Sequence, residues 1–212
     1  YQGQKHILVI MTNKDVYFVS KEDAEHITDS INGGIVELVD DGTTGYLNAG
    51  TSTDWQLGSG DFTIEFFLGH FTWTGVANEV PIVALWNPTT GFSWIVTVTI
   101  LNRLSFFYYQ SGVGNFANYS ASGMSGLGSA YKHFAITRSG NTLRIFFDGA
   151  QDYSATITGA IDSATSTPLC IGGTNYVGDL YLIGQLDELR ITNGVARYTS
   201  GFTPPPAPFP NS

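Results

Sequence analysis

Apolar residues recur at every second position through most of this sequence, and this period of two restricts the fold more than any other feature. In one run Phe62, Ile64 and Phe66 share a face, and the pattern repeats at residues 92–99, 104–108, 134–136 and 143–147. Because side chains alternate between the two faces of a β-strand, this period predicts strands rather than amphipathic helices. Asn, Gly and Pro separate the runs, which predicts two antiparallel sheets packed face to face.

The same alternation predicts which aromatic residues are buried. The run at 92–99 assigns Phe92 and Trp94 to one face of their strand. The aromatic residues expected in the core are Phe62, Phe66, Trp94, Phe106 and Phe147. The alternation breaks at Asp187-Glu188, where one extra residue is inserted before Leu189, and such an insertion predicts a β-bulge.

The first 34 residues follow a different pattern. Apolar runs at 7–12 and 15–19 with two polar residues between them predict a tight hairpin. Residues 20–34 then carry apolar side chains at helical spacing between a capping Ser and a Gly-Gly stop. A proline-rich stretch, which favours extended backbone, ends the chain. We therefore expect a β-β-α docking element at 1–34, a sandwich at 35–203 and a tail at 204–212.

Charge and residue composition exclude several classes of partner. Nine Lys and Arg residues against eighteen Asp and Glu residues give a net charge of −9. Nucleic acids and anionic membranes need a basic surface, so neither is an expected partner. The apolar runs are far shorter than the roughly 20 residues of a membrane helix, so we expect no membrane insertion. One cysteine and four dispersed histidines do not provide a zinc site.

Four segments carry motifs whose order and spacing agree with one known family. They are Asp41-Gly-Thr-Thr-Gly-Tyr-Leu47 with residues 58–66, residues 131–149 ending in Leu143-Arg-Ile-Phe-Phe-Asp-Gly149, residues 168–173, and Gly184-Gln-Leu-Asp-Glu-Leu-Arg-Ile191 continuing to residue 198. Together they resemble the laminin-G-like branch of the concanavalin-A-like jelly rolls over roughly residues 38–203. The resemblance implies a mainly β, two-sheet antiparallel jelly-roll sandwich, to which the small N-terminal β-β-α element is an addition.

The C-terminal tail extends this resemblance to a biological setting. Residues 202–210 are similar to tails found in bacteriophage virion proteins and bacterial surface proteins. This implies a non-enzymatic virion protein, such as a capsid decoration, tail or fibre component. Its partners would be other virion proteins, copies of itself or a host-surface polysaccharide. The alternative is a lectin-like protein on a bacterial cell surface or secreted from the cell, and the third interpretation is a polysaccharide hydrolase.

The acidic residues argue against the hydrolase. Glycosidases need two carboxylates flanking one glycosidic bond. The strands hold Glu65 with apolar or Thr neighbours, and the adjacent Asp187 and Glu188 would point to opposite faces of a regular strand. We therefore expect no enzymatic activity and no catalytic residue.

Aromatic residues outside the predicted core are the candidate binding or interface residues. They are Phe67, Phe107, Tyr109 and Phe146 on strands, with Trp73, Trp86 and Tyr119 in or near loops. Exposed aromatic patches mark contact surfaces, so these residues indicate a partner interface or a sugar-binding surface. The competing interpretation is that another element, for instance residues 1–34, covers them.

Calcium is the one cofactor that the sequence leaves open. Some laminin-G-like domains hold Ca²⁺ at the rim of the sandwich through Asp side chains and backbone carbonyls, the oxygen ligands that this ion prefers. By this resemblance the candidate ligands are Asp40, Asp41 and Asp187. The competing interpretation is that Asp40 and Asp41 form a turn and that Asp187 braces the bulge.

Overall fold

The computed structural model of the chain describes residues 7–12, 15–20, 36–38, 46–69, 71, 79–120, 131–174 and 181–206, with side chains from residue 46 onward except 115–119. These residues form two antiparallel sheets, as the alternation predicts. One 3₁₀ turn lies at Thr53–Trp55. No helix in the described ranges is long and apolar enough to cross a membrane.

Eight of the described strands form the larger sheet. In spatial order they are β1 (Ile7–Thr12), β2 (Asp15–Ser20), β14 (Gly184–Asn193), β5 (Phe62–Gly69), β10 (Lys132–Ser139), β11 (Thr142–Phe147) and β12 (Ala150–Thr156), and β3 (Val36–Leu38) also pairs with β14. The smaller sheet has six described strands. In spatial order they are β4 (Leu47–Asn48), β13 (Cys170–Ile171), β6 (Val80–Asn87), β7 (Gly91–Val98), β8 (Leu104–Gln110) and β9 (Val113–Tyr119).

The N-terminal hairpin predicted from the sequence is present. β1 pairs with β2 in antiparallel register, and β2 in turn pairs with β14 through Tyr17 and Arg190. The hairpin therefore continues the eight-stranded sheet. The helix expected after it lies at residues that the structure does not describe, and the division of the chain into three units stays a prediction.

The core lies between the two sheets and contains the expected aromatic residues. Phe62, Phe66, Trp94 and Phe106 are fully buried, and Phe147 packs against the core while staying partly exposed. The indole Nε1 of Trp94 donates a hydrogen bond to the Trp55 carbonyl at 2.9 Å, which satisfies its buried polar group. The alternation thus correctly assigned these five residues to the core-facing side of their strands.

One residue departs from the predicted alternation. Trp94 pairs with Leu85, but the next pair along the ladder is Phe92 with Trp86, so Ser93 is an extra residue in β7. An extra residue in one strand of an antiparallel pair reverses the face of the residues beyond it. Phe92 therefore lies on the outer face of the sheet, and its predicted place beside Trp94 is wrong.

The bulge predicted in β14 is confirmed. The pairing of β14 with β5 shifts between Asp187 and Arg190, and Glu188 takes a φ of 52°. Because of this shift, Arg190 lies directly opposite Glu65 on the neighbouring strand.

A C-terminal strap, defined here as residues 194–206, lies on the outer face of the eight-stranded sheet. The Val195 carbonyl accepts a hydrogen bond from Thr63 Oγ1 at 3.0 Å, and the Tyr198 carbonyl accepts one from Thr137 Oγ1 at 2.8 Å. Farther along, the Phe202 N–H donates to the Gly149 carbonyl at 2.9 Å. The strap includes the start of the proline-rich tail, whose residues 207–212 lie outside the described part of the chain.

Candidate functional site

Four partly exposed aromatic rings cluster on the outer face of the six-stranded sheet. They are Trp86 on β6, Phe92 on β7, and Phe107 and Tyr109 on β8, and we call this cluster the aromatic surface. The ring centre of Trp86 lies 4.5 Å from that of Phe92, 5.1 Å from Phe107 and 5.2 Å from Tyr109. Exposed rings gathered in this way form a contact surface of the kind that proteins use for binding.

The rings hold one another in defined orientations. Phe92 and Tyr109 are nearly parallel, at 22° with centres 4.9 Å apart, whereas Trp86 meets Phe107 at 79°. Tilted and edge-to-face arrangements at these distances are favourable for aromatic pairs. The rings therefore keep one another in place, an arrangement that would lower the entropic cost of binding a ligand.

Part of the outer face beside the aromatic surface is closed. Ala84, Ile95 and Ser105 point outward by their register, yet all three are buried. The exposed rings therefore lie toward the end of the sheet where the β6–β7 and β8–β9 turns lie.

The β6–β7 turn forms one side of the aromatic surface and is ordered by a side chain. Asn87 Oδ1 accepts hydrogen bonds from the backbone N–H of Thr89 at 2.7 Å and of Thr90 at 3.0 Å. Both threonines are exposed. Thr90 Oγ1 is hydrogen-bonded to Thr167 Oγ1 at 2.9 Å, so the turn presents the Thr89 hydroxyl, on a fixed backbone, at the end of the strand that carries Trp86.

The β8–β9 turn on the other side is held by Asp162. Its two carboxylate oxygens accept from the N–H groups of Ser111 at 2.8 Å and Gly112 at 2.7 Å. Its backbone N–H donates to the Tyr109 carbonyl at 2.9 Å, and its carbonyl accepts from Ser93 Oγ at 2.6 Å. Asp162 thus connects the bulge that turns Phe92 outward with the strand that carries Tyr109.

The structure brings together three of the residues predicted from the sequence: Trp86, Phe107 and Tyr109. It adds Phe92, which the alternation had assigned to the core. The sequence pattern missed Phe92 because the extra residue in β7 is visible only in the pairing of β6 with β7. Tyr119 ends β9 opposite Ser105, but its side chain is outside the described set, as is the whole of Trp73.

The two remaining aromatic candidates lie on the other sheet. Phe146 is fully buried, with its ring centre 5.4 Å from that of Phe202 and 6.2 Å from that of Tyr198. Because the C-terminal strap covers it, Phe146 is not the surface residue that we expected. Phe67 stays partly exposed and packs edge-on against His133 at 4.8 Å.

Beneath the strap, Glu65 is the centre of a buried polar cluster. Its Oε1 accepts from Arg190 Nε at 2.9 Å and Nη2 at 2.6 Å. Its Oε2 accepts from the Tyr198 hydroxyl at 2.7 Å and lies 3.3 Å from His133 Nε2. A buried carboxylate requires such partners, because an unpaired charge is costly in the protein interior.

The cluster shifts the pKa values of Glu65 and Tyr198. Burial raises the pKa of the Glu65 carboxyl, but the hydrogen bond with His133, the charge of Arg190 and the hydrogen bond from Tyr198 outweigh it and hold this pKa below its usual value. Burial, with the charge of Glu65, raises the pKa of the Tyr198 hydroxyl, which therefore stays protonated and donates. Glu65 is 0% exposed, so its carboxylate joins the strap to the sheet and does not face a solvent cleft.

The calcium hypothesis stays a prediction. Asp187 lies in the β14 bulge opposite Phe67, whereas Asp40 and Asp41 are outside the described residues. In the part of the chain that the structure describes, no three His, Cys, Asp or Glu side chains are grouped to hold a metal ion. Cys170, the one cysteine of the sequence, is buried and its thiol contacts the Pro168 carbonyl.

Comparison with known proteins gives one family. Residues 41–197 match the family model described as the concanavalin A-like lectin/glucanases superfamily. No curated protein matches this sequence.

Solved structures share the fold at low sequence identity. The binding domain of Paraclostridial Mosquitocidal Protein 1 matches 92% of this chain and 48% of its own, with a TM-score of 0.55 and 12% identity. A heptameric SAP-like pentraxin from Limulus polyphemus matches 81% of this chain and 78% of its own, with a TM-score of 0.51 and 12% identity. A Bacteroides ovatus protein proposed to bind carbohydrate matches 79% of this chain and 44% of its own, with a TM-score of 0.55 and 15% identity. This chain therefore spans about half or less of the first and third of these proteins, and the likeness concerns the fold alone.

Proposed function

Because this chain belongs to the concanavalin A-like lectin/glucanases superfamily, we propose that it is a non-enzymatic module that binds carbohydrate through its aromatic surface. Family membership makes it a concanavalin A-like module, in a family that includes both binding proteins and enzymes. The step from module to carbohydrate binding depends on one observation, which is the set of four partly exposed rings at Trp86, Phe92, Phe107 and Tyr109.

The chemistry of a sugar ring suits this surface. The faces of a pyranose carry C–H groups, which pack on the electron-rich faces of aromatic rings, while the hydroxyl groups at its edge need polar partners. Thr89 supplies an exposed hydroxyl at the end of the surface, whereas the Thr90 hydroxyl is bonded to that of Thr167. A binding site that combines apolar faces with a few fixed polar groups is the usual arrangement for small-molecule recognition.

Two of the structural relatives support the proposal at the level of the fold. One is described as the binding domain of a mosquitocidal protein, and the other is a Bacteroides ovatus protein proposed to bind carbohydrate. The non-enzymatic part of the proposal is supported by Glu65, whose carboxylate is buried and engaged by Arg190 and Tyr198.

The setting proposed for this module is a bacteriophage virion, with a bacterial cell surface as the alternative. Its support is the similarity of residues 202–210 to the tails of virion and bacterial surface proteins. In a virion the partners would include other structural proteins or copies of this chain. Mass spectrometry of purified particles tests the setting, because a virion component would be found in them at a fixed ratio to the capsid protein.

A glycan array tests the binding function, with Trp86→Ala and Leu101→Ala as matched variants. Leu101 is 69% exposed in the turn at the opposite end of the β7–β8 hairpin, so its truncation removes a surface apolar side chain far from the aromatic surface. We expect the wild-type chain to bind at least one carbohydrate. Trp86→Ala should weaken that binding roughly tenfold or more, since aromatic residues dominate binding hot spots, and Leu101→Ala should leave it unchanged.

A further inference from the structure

Charged residues are absent from the described strands of the sheet that carries the aromatic surface. None of the residues in β4, β6, β7, β8, β9 and β13 is Asp, Glu, Lys, Arg or His. The eight-stranded sheet is different, because its strands include Glu65, Lys132, Arg144, Asp152 and Arg190 among others. Among the described strands, charged residues are therefore confined to the eight-stranded sheet; from the loops, Glu79 reaches the six-stranded sheet, where its Oε2 accepts a hydrogen bond from Thr97 Oγ1 at 2.7 Å.

The turns around the aromatic surface do not restore a charge. Residues 88–90 are Pro-Thr-Thr, and residues 111 and 112 are Ser and Gly. The loop at residues 157–169 adjoins the β8–β9 turn and has one charged residue, Asp162. Both carboxylate oxygens of Asp162 accept hydrogen bonds from backbone N–H groups of that turn. None of the residues in these two turns and this loop is Lys or Arg.

From this segregation we infer that the aromatic surface binds uncharged sugar units and discriminates against acidic polysaccharides; the inference rests on the proposed carbohydrate-binding function. A carboxylate or sulfate group of an acidic glycan would lose part of its hydration beside the rings, and no Lys or Arg there would compensate this cost with an ion pair. It would also approach a chain whose net charge is −9, and like charges repel over about 10 Å at moderate salt.

A neutral sugar meets neither penalty. Its C–H faces pack on Phe92, Tyr109 and Trp86, and its hydroxyls hydrogen-bond to water, to the Thr89 hydroxyl or to exposed backbone groups. Binding of this kind has little Coulombic contribution, so its affinity should depend only weakly on ionic strength.

The test is a solution titration of the full chain against two sets of oligosaccharides at low and high NaCl. The neutral set contains gluco-, xylo-, manno- and galacto-oligosaccharides, and the acidic set contains oligogalacturonate, alginate, hyaluronate and heparin fragments. Each titration is repeated with Trp86→Ala and with Leu101→Ala. We expect a neutral oligosaccharide to bind, to lose roughly tenfold or more in affinity in Trp86→Ala, and to change less than about twofold between the two salt concentrations.

The outcomes separate the two proposals. Binding that depends on Trp86 but is confined to the acidic set, and that weakens with salt, would overturn the inference and leave the carbohydrate-binding function intact. Absence of binding to every sugar in both sets, with the wild-type chain folded, would overturn the proposed function and the inference together.

Discussion

Trp86 and Trp94 lie on neighbouring strands of the same sheet and face opposite sides of it. Trp94 is fully buried, and its Nε1 donates to the Trp55 carbonyl. Trp86 is partly exposed and packs against Phe92 and Tyr109. One residue type therefore serves stability at one position and is available for binding at the other.

Truncation of the two tryptophans should separate these roles. Trp94→Ala should lower the free energy of unfolding by about 3–5 kcal/mol, because it leaves a large cavity in the core. Trp86→Ala should cost about 1 kcal/mol, since its ring contacts water on one side. Chemical denaturation of both variants measures the difference, and equal costs would contradict the assignment of Trp86 to the surface.

Substitution of Glu65 should change the acid stability of the protein. Its native pKa lies below the unfolded value of about 4.3, so the carboxylate stabilises the fold above that pH, and this contribution is lost as the pH falls through the native pKa. Glu65→Gln keeps the shape but leaves Arg190 without its anion, and should cost about 3–5 kcal/mol near neutral pH.

Denaturation of wild-type and Glu65→Gln proteins over a range of pH measures this effect. The difference in unfolding free energy between the two should shrink as the pH falls below about 4, because protonated Glu65 no longer carries the charge that Gln lacks. A difference that stays constant across the acid range would show that Glu65 does not titrate as proposed.

At the scale of elements, the C-terminal strap determines what the eight-stranded sheet shows to solvent. The rings of Tyr198 and Phe202 stack at 3.6 Å with an angle of 8°, and both lie over Phe146. The strap is also joined to the sheet through Glu65, Thr63 and Thr137. The strap therefore covers the part of this outer face around Phe146 and Glu65, while the rings of the aromatic surface on the other sheet are partly exposed.

Two glycine substitutions test how closely the strap fits its sheet. Gly149 and Gly140 both lie in hairpin turns with positive φ, so alanine costs each about 1 kcal/mol of backbone strain. A Cβ at Gly149 would lie 2.0 Å from the Phe202 carbonyl oxygen, whereas a Cβ at Gly140 would have no atom within 4 Å. Gly149→Ala should therefore cost about 1–3 kcal/mol more than Gly140→Ala.

Limited proteolysis gives a second measurement of the same fit. The Gly149→Ala variant should be cleaved within residues 194–206 at protease concentrations that leave wild type and Gly140→Ala intact, because displacement of the strap exposes its backbone. If the two variants are cleaved at the same rate, the strap does not depend on the close contact with this turn.

At the scale of the whole molecule, the aromatic surface and the charged residues of the described strands lie on opposite sheets. The six-stranded sheet carries the rings, and none of its strands that the structure describes contains a charged residue. Glu65, the fully buried carboxylate of the other sheet, is bound to Arg190 and Tyr198. A glycosidase needs an acid and a second carboxylate beside the sugar, and this segregation keeps the described carboxylates of the sheets away from the proposed binding surface.

We therefore expect no hydrolysis of any polysaccharide that the protein binds. The measurement is the release of reducing ends during long incubation at saturating protein, with a known hydrolase as the positive control. Release that follows the protein through repurification and disappears on substitution of one of its carboxylates would contradict this expectation.

The alternation of apolar residues was sufficient to predict the strands, the buried face that contains Trp94 and the bulge at Asp187-Glu188, because the period of side chains along a strand is a local property. The ordered motifs identified the family in the same way. Trp86, Phe107 and Tyr109 were predicted as candidates, but not as one surface separated from Phe146, because alternation says which face of its own strand a residue occupies and not to which sheet that strand belongs. The position of Phe92 depends on the pairing between β6 and β7. The burial of Phe146 and Glu65 depends on Tyr198 and Phe202 of the strap, which lie more than fifty residues later in the sequence. Those long-range pairings, which no local pattern encodes, were decided by the tertiary structure alone.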